Sequence, residues 1–353
     1  MSKFLSERHK SLVPYTPGEQ PRGGFIKLNT NESPFPPPPC VIDALAGKAN
    51  NLHLYSDPTG AELRAALAEY HDVSAESISL GNGSDESLAF AFLAFGDEER
   101  PFVFPDVTYG LYPVISNLFG IPYEELPLME DYSIGTEEYA GIEKNIVLAN
   151  PNAPTGLALP LHEIEFIAAT NPENVVIIDE AYADFWGQSA IPLTREFDNL
   201  LVVRTYSKSR FMAGARLGYI VGSKELIADI EAIRYSFNPY NINTLTLAAG
   251  AAALRENDYF VSRWAEINET RDETKKELHA RGFEVTDSAA NFLFARHERI
   301  DGAELYMKLR ERGILVRSLG HPRIRDRIRI TVGSREQMAA LITALDEIFG
   351  GGK

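Results

Sequence analysis

Apolar and polar positions fall into two regimes along this chain. Up to about residue 240, short runs that are nearly all apolar recur at intervals. They are "SISL" (77–80), "FVF" (102–104), "NIVLA" (145–149), "VVIID" (175–179), "LLVVRT" (200–205) and "GYIVG" (218–222). They lack the strict alternation of strands with one wet face, so they predict parallel strands buried on both sides. Longer patterns separate them: "DESLAFAFLAF" (85–95), "YGLYPVISNLF" (109–119) and "PLHEIEFIAAT" (160–170) predict helices. Strand and helix in alternation give an α/β sheet covered by helices on both faces.

From about Asn241 the pattern changes. "NINTLTLAAGAAALREN" and "DYFVSRWAEINETRDETKKELHARG" predict two long helices. Short strands and helices then mix through "FEVTDSAANFLFA", "GAELYMKLRERG", "ILVR", "RIRITVG" and "REQMAALITALDEIF", as in a small α+β domain. The expected organisation is an N-terminal arm over 1–50, a large α/β domain over 51–255 and a small α+β domain over 256–353. The boundary falls in a helix, not in a Pro/Gly linker. The one Pro-rich patch, "SPFPPPPC" (33–40), is expected to be extended or turned and to join the arm to the body.

Composition narrows the function classes. A net charge of −16, from 34 basic and 50 acidic residues, argues against a nucleic-acid partner. The single cysteine, Cys40, excludes an internal disulfide framework and suits a reducing compartment. No run approaches the roughly 20 apolar residues of a membrane span, and "MSKFLSERHKSL" has no apolar centre of a secretion signal. A cytoplasmic protein is expected. The seven histidines are scattered, with no HExxH, and no GxSxG elbow occurs.

Open parallel sheets bind ligands beyond the C-terminal ends of their strands. After "SISL" comes "GNGSDES" (81–87), glycines leading to a helix start with Ser84 and Asp85 as caps. Such a start offers free N–H groups to an anion. It matches neither the dinucleotide fingerprint nor a P-loop, which counts against a nucleotide-binding module. "NPNAPTG" (150–156) follows the strand "NIVLA" and reads either as a tight loop or as a set of hydrogen-bonding asparagines. Asp179 ends an apolar strand, where a carboxylate needs a cation or donors to meet it. Lys208 follows "LLVV" in "RTYSKSRFMAGARLG" (204–218), with Ser207 and Arg216 close in sequence. A lysine near another cation and away from water has a lowered pKa, suited to Schiff-base chemistry. Phosphate cradle, buried acid, lysine and tyrosine together suit pyridoxal 5'-phosphate. The small residues Ala213, Gly214 and Ala215 would let the chain pass close to its phosphate.

The series "KLNTNESPF", "YSDPTG", "GNGSDE", "NPNAPTG", "IDEAYADF", "SKSRFMAGARLGY" and "RIRITVG" resembles the fold-type I pyridoxal-phosphate enzymes, and within them the histidinol-phosphate aminotransferases. The resemblance spans nearly the whole chain. It implies a large, mainly parallel sheet domain with a smaller α+β domain. It implies that Lys208 anchors the cofactor and shuttles a proton, that Asp179 pairs with the pyridine nitrogen, and that Tyr182 hydrogen-bonds the ring hydroxyl. Tyr109 would stack on the ring. Gly83, Ser84, Asp85, Ser207 and Arg216 would hold the phosphate. Tyr55 would reach the phosphate of a neighbouring subunit, which implies a homodimer with shared sites. Arg329 would grip the substrate anion, with Arg317, Tyr15 and Asn31 as further substrate contacts. Where many relatives have Asn before "PTG", this chain has Ala153, and Asn152 is expected to take its place. The implied reaction moves an amino group between L-histidinol phosphate and 2-oxoglutarate. An aromatic amino-acid aminotransferase is second, and a threonine-phosphate decarboxylase third.

Overall fold

The computed structural model describes residues 2–21 and 23–350. A seven-stranded sheet forms its centre. In spatial order the strands are Ile78–Gly81, Gly218–Val221, Leu200–Thr205, Val176–Asp179, Asn145–Ala149, Phe102–Pro105 and Tyr123–Leu126. Successive residues of the central strands enter different apolar clusters. Ile146, Leu148, Ile178 and Val202 pack on one face, and Val147, Ile177, Leu201 and Val203 on the other. Burial on both faces is what the unbroken apolar runs require.

The sheet is not wholly parallel. Gly218–Val221 runs antiparallel to both of its neighbours, while the remaining pairs are parallel. A parallel return needs a crossover, usually a helix. The chain between Thr205 and Gly218 holds only the short 3-10 turn Ala213–Ala215, so the strand comes back in the opposite direction. Its first residue therefore lies at the edge where its neighbours end. The outer strand Tyr123–Leu126, "YEEL", has no apolar run because it is largely exposed, and sequence patterning does not mark it.

The Pro-rich patch is extended only as far as Pro38. Pro39 and Cys40 open the helix Pro39–Lys48, where a missing N–H costs nothing because first-turn N–H groups have no intrahelical partner. The two long helices are Thr244–Arg255 and Asn257–Ala280, separated at Glu256. Beyond them an antiparallel sheet has the order Arg317–Ser318, Arg327–Thr331, Phe292–His297, Phe283–Val285. Helices Gly302–Glu311 and Arg335–Phe349 accompany it. The N-terminal segment joins this unit. Ile26–Lys27 pairs in parallel with Ile314–Leu315, and Leu28 is buried in the same cluster as Ile328 and Leu341. No helix among the described residues is long and apolar enough to cross a membrane.

Candidate active site

At the C-terminal edge of the large sheet lies a cavity of about 380 Å³. It is lined by the strand-end residues Asp179, Ser207, Lys208 and Arg216, by Ser84 and Asp85 at a helix start, and by Tyr109 and Tyr182. Arg317 and Arg329 line it from the antiparallel sheet, and Tyr15 and Asn31 from the N-terminal segment. Of the residues expected at the site, only Gly83, Asn152 and Tyr55 are not part of its wall.

Lys208 donates from Nζ to the Thr30 carbonyl at 2.9 Å. Burial lowers its pKa to about 8, and the Arg329 guanidinium adds to the effect. Asp179 is buried, and burial raises its carboxyl to about 6, against the hydrogen bonds it accepts. Those come from the Tyr112 hydroxyl at 2.9 Å and the Ala181 N–H at 3.2 Å. One wall thus holds a carboxylate short of a cation, and another holds an amine easily deprotonated.

Tyr182 lines the same cavity, and its hydroxyl accepts from Asn31 Nδ2 at 2.9 Å. Asn31 has φ +56 and is tied to Thr331 at 2.9 and 3.0 Å and to Asn291 Nδ2 at 3.0 Å. The N-terminal segment is therefore fixed to the antiparallel sheet at the point where it meets the cavity.

Arg216 forms a cationic corner. Its Nη1 donates to Ser207 Oγ at 3.2 Å, and its Nη2 lies 3.4 Å from Asp85 Oδ2. Gly83 has φ +85, and a Cβ there would stand 2.4 Å from Arg216 Nη2. At Gly218 a Cβ would lie 2.5 Å from the Ser84 nitrogen. The close approaches are at these two glycines. Around Gly214 no atom beyond its chain neighbours lies within 4 Å of such a Cβ, and Ala213 and Gly214 border the cavity, so the space beside them is open.

Tyr109 donates from its hydroxyl to Asp85 Oδ1 at 2.9 Å and meets the Tyr15 ring edge-on at 5.9 Å. Arg329 donates from Nη2 to the Asn29 carbonyl at 3.2 Å, while its shielded Nε has no partner among the described residues. Arg317 donates to the carbonyls of Thr16 (2.9 Å) and Pro17 (3.3 Å), which secures the N-terminal segment over the cavity.

Asn152 has another job than the one expected. Its Nδ2 donates to the Val107 carbonyl (3.0 Å) and Thr155 Oγ1 (3.1 Å), and its Oδ1 accepts from Thr108 Oγ1 (2.8 Å). The amide is spent on closing its own loop against the segment before Tyr109, and Ala153 faces the cavity instead. Tyr55 is 83% exposed and stacks on Tyr240 at 4.6 Å, away from this wall. Two contributors escaped the sequence reading. Tyr112, which holds Asp179, is visible only as a second tyrosine three residues after Tyr109; the Thr30 carbonyl has no side-chain signature.

The aminotransferase class I and II family model matches residues 24–345. The chain belongs to this family. Among this aminotransferase's relatives, histidinol-phosphate aminotransferase 1 of Bradyrhizobium diazoefficiens is 47% identical over 350 residues, 99% of this chain and 100% of that one. The Brachyspira hyodysenteriae histidinol-phosphate aminotransferase is 45% identical over 352 residues, 99% of each. The solved Sinorhizobium meliloti histidinol-phosphate aminotransferase in complex with pyridoxal-5'-phosphate superposes with a TM-score of 0.90 at 25% identity. The match covers 99% of this chain and 98% of that one. The aminotransferase keeps the fold-type I arrangement, a helix-flanked mixed sheet, and its cavity lies at the strand ends.

Proposed function

We propose that this chain is a histidinol-phosphate aminotransferase that uses pyridoxal 5'-phosphate to move an amino group between L-histidinol phosphate and 2-oxoglutarate. The observation that carries the proposal is the pairing, across one cavity, of a lysine whose pKa falls to about 8 with a buried carboxyl raised to about 6. Each is strained alone, and each is relieved by one end of a pyridinium aldehyde.

The residues fit that group. Lys208 would take the aldehyde carbon, and Asp179 would accept from the ring N–H, held in place by Tyr112. The Tyr182 hydroxyl would face the ring oxygen. Ser207, Arg216 and the N–H groups at the Gly83–Ser84 helix start form a cationic, donor-rich seat for the phosphate. When bound, the cofactor supplies an electron sink for the carbon that loses its proton. The chain does the rest. With its pKa lowered to about 8, the Lys208 amine would lose and regain a proton readily and would carry it between substrate carbon and cofactor. Tyr109 would cover the ring, and the N-terminal segment excludes water. Arg329, with an unpaired Nε, offers a guanidinium to the substrate anion, whether a phosphate or a carboxylate, with Arg317 beside it.

The division into an arm (1–50), a large domain (51–255) and a small domain (256–353) belongs to this reading, as do a cytoplasmic location and a homodimer. Exposed Leu52, Leu54, Tyr55 and Phe237, with Tyr240 stacked on Tyr55, give an apolar face suited to a second copy. Tyr55 would then complete the partner's phosphate seat.

The test is a half-reaction. Cofactor-loaded protein is mixed with histidinol phosphate, phenylalanine or glutamate, and the visible absorbance is followed. Rapid loss with histidinol phosphate and with glutamate is expected. Loss with phenylalanine but not histidinol phosphate overturns the substrate. Absorbance that survives unchanged in Lys208→Ala overturns the anchor.

A further inference from the structure

Arg204 occupies the penultimate position of the strand Leu200–Thr205, four residues before Lys208, with its side chain only 5% exposed. Its Nη1 donates to Glu180 Oε2 at 2.8 Å, and its Nη2 donates to Asp184 Oδ1. The other oxygen of Asp184 accepts from the Ser209 hydroxyl. Glu180 also accepts from Ser189 Oγ at 2.6 Å, and Trp264 Nε1 donates to the Ser209 carbonyl at 2.6 Å. Burial alone would raise the Asp184 carboxyl, yet the guanidiniums of Arg204 and Arg210 outweigh it and hold it low. Asp184 is therefore ionised and binds Arg204 as an anion.

The positions in sequence matter here. Glu180 follows Asp179, and Ser209 follows Lys208. Neither Arg204, Glu180, Asp184 nor Ser209 lines the cavity. One guanidinium behind the site thus holds Glu180, the neighbour of Asp179, directly, and Ser209, the neighbour of Lys208, through Asp184. Fold stability does not by itself explain such a network, because a buried ion cluster is often no more stable than a packed apolar replacement. A site that must hold two groups to within about 0.5 Å does explain it.

We infer that Arg204 is a positioning residue, which sets the separation of Asp179 and Lys208 through Glu180 on one side and Asp184–Ser209 on the other. The inference rests on the proposed roles of Asp179 and Lys208.

The test uses full-length, cofactor-loaded protein as wild type, Arg204→Lys and Ser209→Ala. The measurements are melting temperature, cofactor affinity, the pH midpoint of the cofactor's visible absorbance, and kcat and KM separately. Lysine keeps the charge but cannot bridge two carboxylates in the fixed fork of a guanidinium. For Arg204→Lys, a kcat lower by about 100-fold is expected from misplacement of the reacting groups, with KM within a few-fold and a displaced absorbance midpoint. Ser209→Ala removes one hydroxyl and keeps every charge, so it carries the same reading if Arg204→Lys does not fold. About a tenfold loss of kcat and a smaller midpoint shift are expected there. Folded variants that lose melting temperature but keep kcat, cofactor affinity and midpoint overturn the positioning role and leave a purely structural one. Wild-type protein without cofactor absorbance or amino transfer instead overturns the reading beneath it.

Discussion

Asp179 and Lys208 are both held away from their ordinary titration ranges, in opposite senses. Asp179 rises from 3.8 to about 6, so the folded chain binds its proton more tightly than the unfolded chain does. Its contribution favours folding at low pH and is lost as pH rises through about 6. Lys208 falls from 10.5 to about 8, so its buried charge costs stability at neutral pH, and that cost is relieved as pH climbs from 8 toward 10.5. Two outcomes follow for cofactor-free protein. Asp179→Asn, which removes the buried charge, should melt at or above the wild-type temperature while losing more than about 100-fold in turnover once loaded. Calorimetry and steady-state rates check the pair; a lower melting temperature at pH 7 would contradict the burial penalty. The rate of pyridoxal-phosphate addition should rise with pH and level off above about 8, where the Lys208 amine is neutral. Stopped-flow absorbance would show it, and a flat profile would place the lysine in a different environment. At this scale the sequence was a good guide to residues that end apolar strands, because a charge there has few reasons to exist. It misled at Asn152, whose partner Val107 comes from a distant loop, and it passed over Arg204, which looks like the ordinary end of an apolar run.

The elements meet at the rim where Gly81 and Gly218 are paired across adjacent strands. Because Gly218–Val221 runs backwards, its start lies against the Gly83–Ser84 helix start, with no room for a side chain between them. Gly218→Ala should push that helix start away from the proposed phosphate seat. The expectation is a cofactor affinity weaker by at least about tenfold and a stability loss of about 1–3 kcal/mol. Equilibrium dialysis and denaturant titration separate the two effects. Affinity unchanged at reduced stability would mean the seat does not depend on this contact. The apolar runs made most strands legible, since burial on both faces leaves a plain mark. Strand direction was not legible, because it depends on whether the connection contains a helix, and the segment 206–217 has none. Tyr123–Leu126 was invisible for the opposite reason, being exposed and polar.

For the whole molecule, the expectation is that two copies complete each other's sites. Lys208→Ala and Tyr55→Ala subunits should each be weak alone. Random mixing should restore about a quarter of wild-type activity, since half the pairs are hybrids and each hybrid has one intact site. Activity that stays at the level of the parents would assign Tyr55 to its own subunit or to no site. The same architecture also sets an order of assembly. The helix that begins at Ser84 is made early, but the strand start that braces it arrives with Gly218, and Asn31 is not anchored until Thr331 has emerged. Contacts of such long sequence separation close last. A nascent chain halted short of Gly218 would have this helix packed on the earlier strands through Phe92 and Leu88, but would lack the strand start that braces its first turn. Cofactor capture is therefore a late event in the life of each chain, and its onset during synthesis would report the moment the two ends of the sequence find one another.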